Sequence, residues 1–313
     1  EVASQVLQGL EEANAAHPER LCGTVLVLHA LCRKYEFKHS SERADIEQVI
    51  AVVFPKLLSV LKALIAYGTP NEALEELKKA ICKTYWSATY LHVGPSLQQE
   101  DTYREWMSAF HTVITTPVHI EGISDPTDKM ELRHWPWWKT KKWALHIVNR
   151  QFTRYGNLKQ AQSDSKELAV MYRKSYATQF LQCYVELLSS LTTGMAMPNR
   201  VVNLAVTHLS SALSVTLTYK VLHPHLDDIA MRVMFPLVCF GAEDKELWED
   251  DPNEYVRKSQ DFMEDMYSPR MAALNYLSES CKTGSRMKEN LPKILAAMVQ
   301  ILNKAAAFPS GTA

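Results

Sequence analysis

Between Glu243 and Asp265 the chain carries ten acids, Glu243, Asp244, Glu246, Glu249, Asp250, Asp251, Glu254, Asp261, Glu264 and Asp265, against Lys245, Arg257 and Lys258. The chemistry open to such a run is electrostatic. The formal net charge of the whole chain is only −1, so the negative field is local, and a local field of one sign selects and steers a basic partner. Part of the run also has a structural use. Asp251, followed by Pro252 and then by Glu254 three residues after the cap, is a helix start, where the macrodipole favours acids. A second constellation has the opposite sign: in Pro136-Trp137-Trp138-Lys139-Thr140-Lys141-Lys142-Trp143, three lysines crowd the first turns of a helix. The dipole disfavours cations there, and a local rule broken without evident compensation marks a candidate contact site. The competing reading has Trp138, Leu145 and Phe152 burying one face while the lysines are merely solvated, their stems covering apolar surface. His223-Pro224-His225-Leu226-Asp227-Asp228 superficially resembles a metal cluster. Residues two apart do not share a helix face and no third ligand is placed, so helix capping is the expected role. No G-x-S-x-G elbow, phosphate-binding loop or dinucleotide fingerprint occurs, so no catalytic, cofactor-binding or metal residue is assigned.

The elements that must carry these residues read as helices. The chain has 313 residues, and 47% are hydrophobic, enough for a sizeable core. Strand-like alternation bounded by Asn-Gly or Asp-Gly is absent. Of ten glycines, Gly68, Gly94, Gly122, Gly156, Gly194, Gly241 and Gly284 fall between stretches of helical periodicity, where tolerance of positive φ would end a helix. Apolar spacing predicts a helix through Leu21, Val25, Leu28, Cys32 and Tyr35, and a long one over 46–67 interrupted by Pro55. Thr69-Pro70-Asn71-Glu72 reads as a capping box opening a helix that runs to about His92. Further helices are predicted over 103–115, 137–155, 165–191, 199–219, 224–240, 253–266, 269–282 and 288–305, with the longest loop at 116–134. Short polar links force antiparallel hairpins, and a pair per roughly 40 to 47 residues is the period of HEAT and armadillo arrays. The expected fold is therefore all-α, an α-solenoid of tandem HEAT-type antiparallel helical hairpins. It would form one segment over 1–313 of about five to six repeats. The six cysteines form no C-x-x-C pair, and most lie on apolar helix faces. With no N-x-S/T acceptor, signal peptide or uninterrupted apolar run of membrane-spanning length, a reducing cytosolic or nuclear setting without a membrane fits.

Three segments carry a family resemblance. ELWEDDPNEYVRK at 246–258 follows a helix end at Phe235-Pro236-Leu237. It resembles the corresponding stretch of the importin-β superfamily of nuclear transport receptors, in the importin seven and eight branch and in the exportin for importin-α. PWWKTKKWALHIVNRQFTRYG at 136–156 is similar to the importin seven and eight pattern almost residue by residue. Ser268-Pro269 with Arg270, Ala272 and Ala273 opens the next helix as a third match, and 21–37 resembles the branch more weakly. The resemblance implies an internal piece of a receptor that binds cargo in the cytoplasm and releases it on meeting Ran-GTP in the nucleus, shuttling through the nuclear pore. Its mechanism would be partner exchange without enzymatic chemistry or a cofactor. Implied partners are Ran-GTP, basic cargo of ribosomal-protein or histone type and phenylalanine-glycine nucleoporins; a pairing with importin-β stays open. The expected partner-binding residues, for Ran or basic cargo, are Trp248, Glu249, Asp250, Asp251, Glu254, Tyr255, Arg257 and Lys258, with Lys139, Lys141 and Lys142. The amino-terminal repeats that supply the family's principal Ran contacts are expected to lie outside this chain.

Two other classes compete. A static HEAT-type scaffold for a protein complex would show the same helical period. A helical-repeat nucleic-acid binder or enzyme needs a basic stripe, and a pI near 6.9 with an acidic centre argues against direct nucleic-acid contact.

Overall fold

A computed structural model describes residues 2–12, 18–118, 126, 128–259, 267–282 and 284–306, and among these every regular element is helical. By packing, the chain divides into two compact units, 1–176 and 177–313, a division that composition does not mark.

The first unit contains α1 (Val2–Glu12), α2 (Pro18–Lys34), α3 (Ala44–Ala66), α4 (Glu72–Ala88), α5 (Pro95–Gln98), α6 (Glu100–Thr115), α7 (Lys129–His134), α8 (Pro136–Tyr155) and α9 (Lys166–Ser175). Helix α4 packs against both α2 and α8, and α6 packs against α3 and α8, so successive hairpins stack side by side. α3 is long and apolar enough by composition to cross a membrane. Here it is a core helix, burying Ile46, Ile50, Val53, Phe54, Leu57, Leu58 and Leu61. It runs unbroken through Pro55, because Pro55 and Ala51 share the exposed face and the carbonyl that loses its donor faces water. Trp106 sits at the centre, 4.7 Å from Tyr85 and 5.9 Å from Phe54, with Phe110 stacked beside it. α4 begins two residues later than the sequence suggests: Asn71 caps it, accepting from the Leu74 N–H at 3.2 Å, and the helix ends at Ala88 rather than near His92.

How α4 ends organises the unit. A helix terminus leaves its last carbonyls without intrahelical partners, and here each is supplied. Tyr85 O accepts from the Thr89 backbone N–H and hydroxyl, and Ser87 O from the Tyr90 N–H. Arg43, wholly buried, donates to Ala88 O at 2.5 Å and to Tyr35 O at 2.8 Å just beyond α2. Arg150 of α8 donates to Trp86 O at 3.2 Å; Arg154, one turn on, donates to Thr89 O at 2.9 Å and to Tyr90 O. Three guanidinium groups from two flanking segments thus complete one helix terminus, with the charge sign the dipole favours. Gly94 follows because the Glu47 carboxylate that pairs with Arg43 occupies the space a Cβ would need.

The second unit holds α10 (Ala177–Thr192), α11 (Asn199–Leu213), α12 (Thr216–Leu222), α13 (Leu226–Ile229), a π-turn at Ala230–Met234, α14 (Phe235–Val238), α15 (Ala242–Asp250), α16 (Pro252–Ser259), α17 (Pro269–Ser280) and α18 (Gly284–Ala306). α11 packs against α10 and α17, and Ala230, Phe235 and Ala297 form a small core with Leu277, Ile294 and Ile301. The π-turn precedes Pro236, which cannot donate to the carbonyl four residues back. Three predicted helices prove divided: 165–191 breaks at Tyr176, where the units meet in sequence, 199–219 breaks at Ser214-Val215, and 224–240 is split by the π-turn into α13 and α14. Among the described glycines, only Gly68 and Gly194 take positive φ; Gly94, Gly156 and Gly241 end or precede helices at negative φ, and Gly122 lies outside the described residues. Residues 119–125 and 127 of the 116–134 loop also lie outside them, and the loop's end is the short helix α7.

His208 of α11 is fully enclosed and stacked on Tyr184, ring centroids 3.9 Å apart, and burial holds it down at about 3. Since the unfolded chain takes up this proton near 6.5 and the folded chain does not, His208 leaves stability unchanged above that pH and lowers it as pH drops from 6.5 toward 3.

Replacing Arg43 with Met strands two helix-end carbonyls in the interior. A loss of about 3 kcal/mol is expected, read as a lowered denaturation midpoint of this segment; an unchanged midpoint means that water or another donor replaces the guanidinium.

Candidate functional site

The acidic run is carried by a hairpin of two short helices, α15 and α16, which pack chiefly on each other. Gly241 opens α15, its N–H donating to Asp244 Oδ2 at 2.7 Å. Asp251 separates the helices and caps α16: its Oδ1 accepts from the N–H groups of Asn253 and Glu254, each at 3.0 Å. The reciprocal half of a capping box is missing, because the Asp251 N–H goes back to Leu247 O and the Glu254 carboxylate turns to Arg257. Arg257 donates to both Glu254 oxygens at 2.6 Å, which holds Glu254 below the usual carboxylate range. Lys258 lies 3.8 Å from the same group, and Lys245 lies 3.7 Å from Glu249. Glu246 and Asp250 stand exposed and make no ion pair among the described residues. Asp261, Glu264 and Asp265 lie outside the described residues.

An aromatic cluster sits on this hairpin. Tyr255 takes Trp248 edge-on at 5.5 Å and Phe240 at 5.8 Å, and both partners are about half exposed (47% and 55%). Arg270, at the start of α17, ties the hairpin down by donating to Asp244 and, at 3.1 Å, to Cys239 O. Trp248, Glu249, Asp250, Asp251, Glu254, Tyr255, Arg257 and Lys258 therefore share one small surface. Phe240 and Arg270 belong to it too; the sequence signal for them was their place at the Phe-Pro-Leu end and the Ser-Pro start that flank the acidic motif.

The lysine group does not stay together. Lys141 is buried (5% exposed), its ammonium donating to Ile114 O at 2.6 Å and Thr116 O at 2.7 Å, with the Trp138 ring alongside. It completes the C-terminus of α6, so the cation that looked misplaced at the start of one helix is well placed at the end of its neighbour. The expected surface position of all three lysines is thereby corrected for Lys141; Lys139 is half-buried, 3.8 Å from Glu76, and Lys142 is half-buried. Trp137 and Trp138 are core residues.

His223 occupies the C-cap of α12, its backbone N–H donating to Tyr219 O, as the capping expectation has it. Its Nε2 lies 3.2 Å from Glu289 Oε1 of α18. Among the described residues no group of three His, Cys, Asp or Glu could hold a metal ion. Cys32, Cys82 and Cys183 are buried, and burial pushes the Cys32 and Cys82 thiols up to about 12; Cys239 is exposed.

Helical hairpins packed side by side, with charged and aromatic groups displayed at the surface, define the class as an all-α, HEAT-type solenoid. The exportin Cse1 in its cargo-free, cytoplasmic state has this fold: TM-score 0.75 and 17% identity over 99% of this chain and 32% of that one. Residues 31–308 match the family described as Cse1, and the chain belongs to that family, within the importin-β superfamily of nuclear transport receptors. It is similar to the importin beta-like SAD2 homolog of Arabidopsis thaliana, 39% identical over 90% of this chain and 27% of the relative. It is also similar to human importin-8, 32% identical over 90% of this chain and 26% of the relative. The chain thus spans about a quarter of the length of the curated relatives it matches.

Two outcomes test the local roles. Asp251→Ala should lower stability by about 1 kcal/mol while Asp251→Asn, itself a good cap, is nearly silent in a thermal melt. Lys141→Met should cost about 2 kcal/mol, whereas Lys139→Gln, at a half-buried and loosely spaced pair, should change stability by less than about 0.5 kcal/mol.

Proposed function

We propose that the chain is part of a nuclear import receptor that binds protein cargo and takes part in Ran-GTP-dependent cargo release, moving between cytoplasm and nucleus. The observation that carries this reading is the alignment of nine-tenths of the chain with an importin-8 and an importin beta-like protein. The work is binding and exchange, not catalysis. The α15–α16 hairpin supplies a partner surface for Ran or for basic cargo of ribosomal-protein or histone type. Glu246, Glu249 and Asp250 provide its field, Trp248 and Tyr255 provide apolar anchors, and Asp251 and Glu254 hold its shape. Aromatic anchors ringed by charge are the usual composition of an energetically dominant contact. Lys139 and Lys142 form a second, separate contact. Phenylalanine-glycine nucleoporins, and importin-β as a co-receptor, are further partners in this reading.

The test is a pull-down of the full-length receptor with Ran loaded with GTP or with GDP. Binding to the GTP form and release of a bound basic cargo on its addition are expected; equal retention of both forms would instead fit a static scaffold. In the same assay, Glu246→Gln, Glu249→Gln and Asp250→Asn together should weaken cargo or Ran capture at about 50 mM salt and much less at about 300 mM, since exposed charges are screened over roughly 10 Å or less.

A further inference from the structure

A band of aromatic rings crosses the first unit from the end of α2, over α4, to α8. Phe37 meets Tyr90 at 4.8 Å, Tyr90 meets Trp86 at 5.9 Å, and Trp86 meets Trp143 at 5.9 Å. Cations lie on these rings. The Arg150 guanidinium covers Trp86 and sits 4.2 Å from the Tyr90 centroid, and the Lys83 ammonium is 5.6 Å from the Trp143 centroid. Arg33, exposed on the last turn of α2, which packs along α4, stands close enough to act on the Lys83 charge. Neither Lys83 nor Arg33 makes an ion pair among the described residues. The two nearby acids are engaged: Glu36 is buried under the Ser87 hydroxyl, and Glu76 pairs with Lys79 and lies near Lys139.

From this geometry we infer that the Arg33–Lys83–Arg150 surface is a docking site for an acidic, extended peptide segment of a protein partner. The site goes beyond the reading above: it has the opposite charge, lies in the other unit and needs no Ran. Like charges crowd one another here with too few acids to balance them. Burial first, and then Lys83 and Arg33, hold His29 below its ordinary value; burial, then Lys79 and Arg33, do the same to Lys83. A ligand bringing carboxylates relieves that repulsion. Stacking nucleobases is the less suitable occupant. Single-strand binders offer open aromatic faces, whereas here the chain's own cations lie on Trp86 and Trp143. Cations fixed on rings are already ordered, which limits the entropy lost on binding.

The experiment uses the full-length receptor and a fluorescein-labelled octapeptide of alternating glutamate and glycine, read by anisotropy at about 50 mM salt. Its glutamine counterpart and a labelled octauridylate serve as comparison probes. The glutamate peptide should bind at least about tenfold more tightly than either. Arg33→Glu with Lys83→Glu should reduce that binding about tenfold or more, whereas Arg33→Lys with Lys83→Arg should retain it. The retained binding of the charge-conserving pair, together with an unchanged helical melt, separates loss of charge from loss of fold. Equal binding of the glutamine peptide, indifference to the charge reversal, or octauridylate binding as tightly as the glutamate peptide would each overturn the proposal. None of these outcomes bears on the Ran pull-down.

Discussion

The end of α4 is the point on which the first unit depends. A helix terminus buried among neighbours must find donors for its last carbonyls or lose on the order of 1–3 kcal/mol for each one stranded. Arg43, Arg150 and Arg154 supply those donors from before α3 and from along α8. Because each guanidinium is a rigid fork, the three bonds also fix where the neighbouring helices lie relative to α4. Lys141 repeats the device at the end of α6. Helix α8 thus serves as a strut whose basic residues terminate two neighbouring helices, and this accounts for the density of cations in its sequence better than a purely solvated face does.

The same arrangement couples scaffold to surface. Arg150 satisfies a backbone carbonyl and in doing so lies across the Trp86 and Tyr90 rings at the edge of the unit. A group held for structural reasons is thereby also presented in an ordered form, as binding sites on rigid elements require. The α15–α16 hairpin follows the opposite plan. Its helices are short, its apolar residues are partly exposed, and apart from mutual packing it is tied by Arg270 to Asp244 and Cys239. Segments with little buried apolar contact open at low free-energy cost, so this hairpin is held less firmly than the α4 terminus.

Much of this was legible in the chain itself. Helical periodicity, the Asp251 cap with Pro252 and the paucity of strand signals gave the all-α architecture, because these depend on residues within a few positions of one another. The three motifs gave the family, and the acidic and aromatic residues near Trp248 fall on one surface because a tight two-helix hairpin brings near neighbours in sequence together.

What only the tertiary structure decided was which charges face inward. Lys139, Lys141 and Lys142 are alike in type and adjacent in sequence, yet only Lys141 is buried, since its carbonyl partners lie more than twenty residues away on another helix. The Arg43 contact to Ala88 spans 45 residues and the Arg154 contact to Thr89 spans 65. A single sequence shows the donor but not the distant carbonyl that needs it. Periodicity and caps are local and can be read one element at a time; a buried charge is defined by the neighbour that desolvates it and the acceptor that compensates it, and both exist only once the helices have packed.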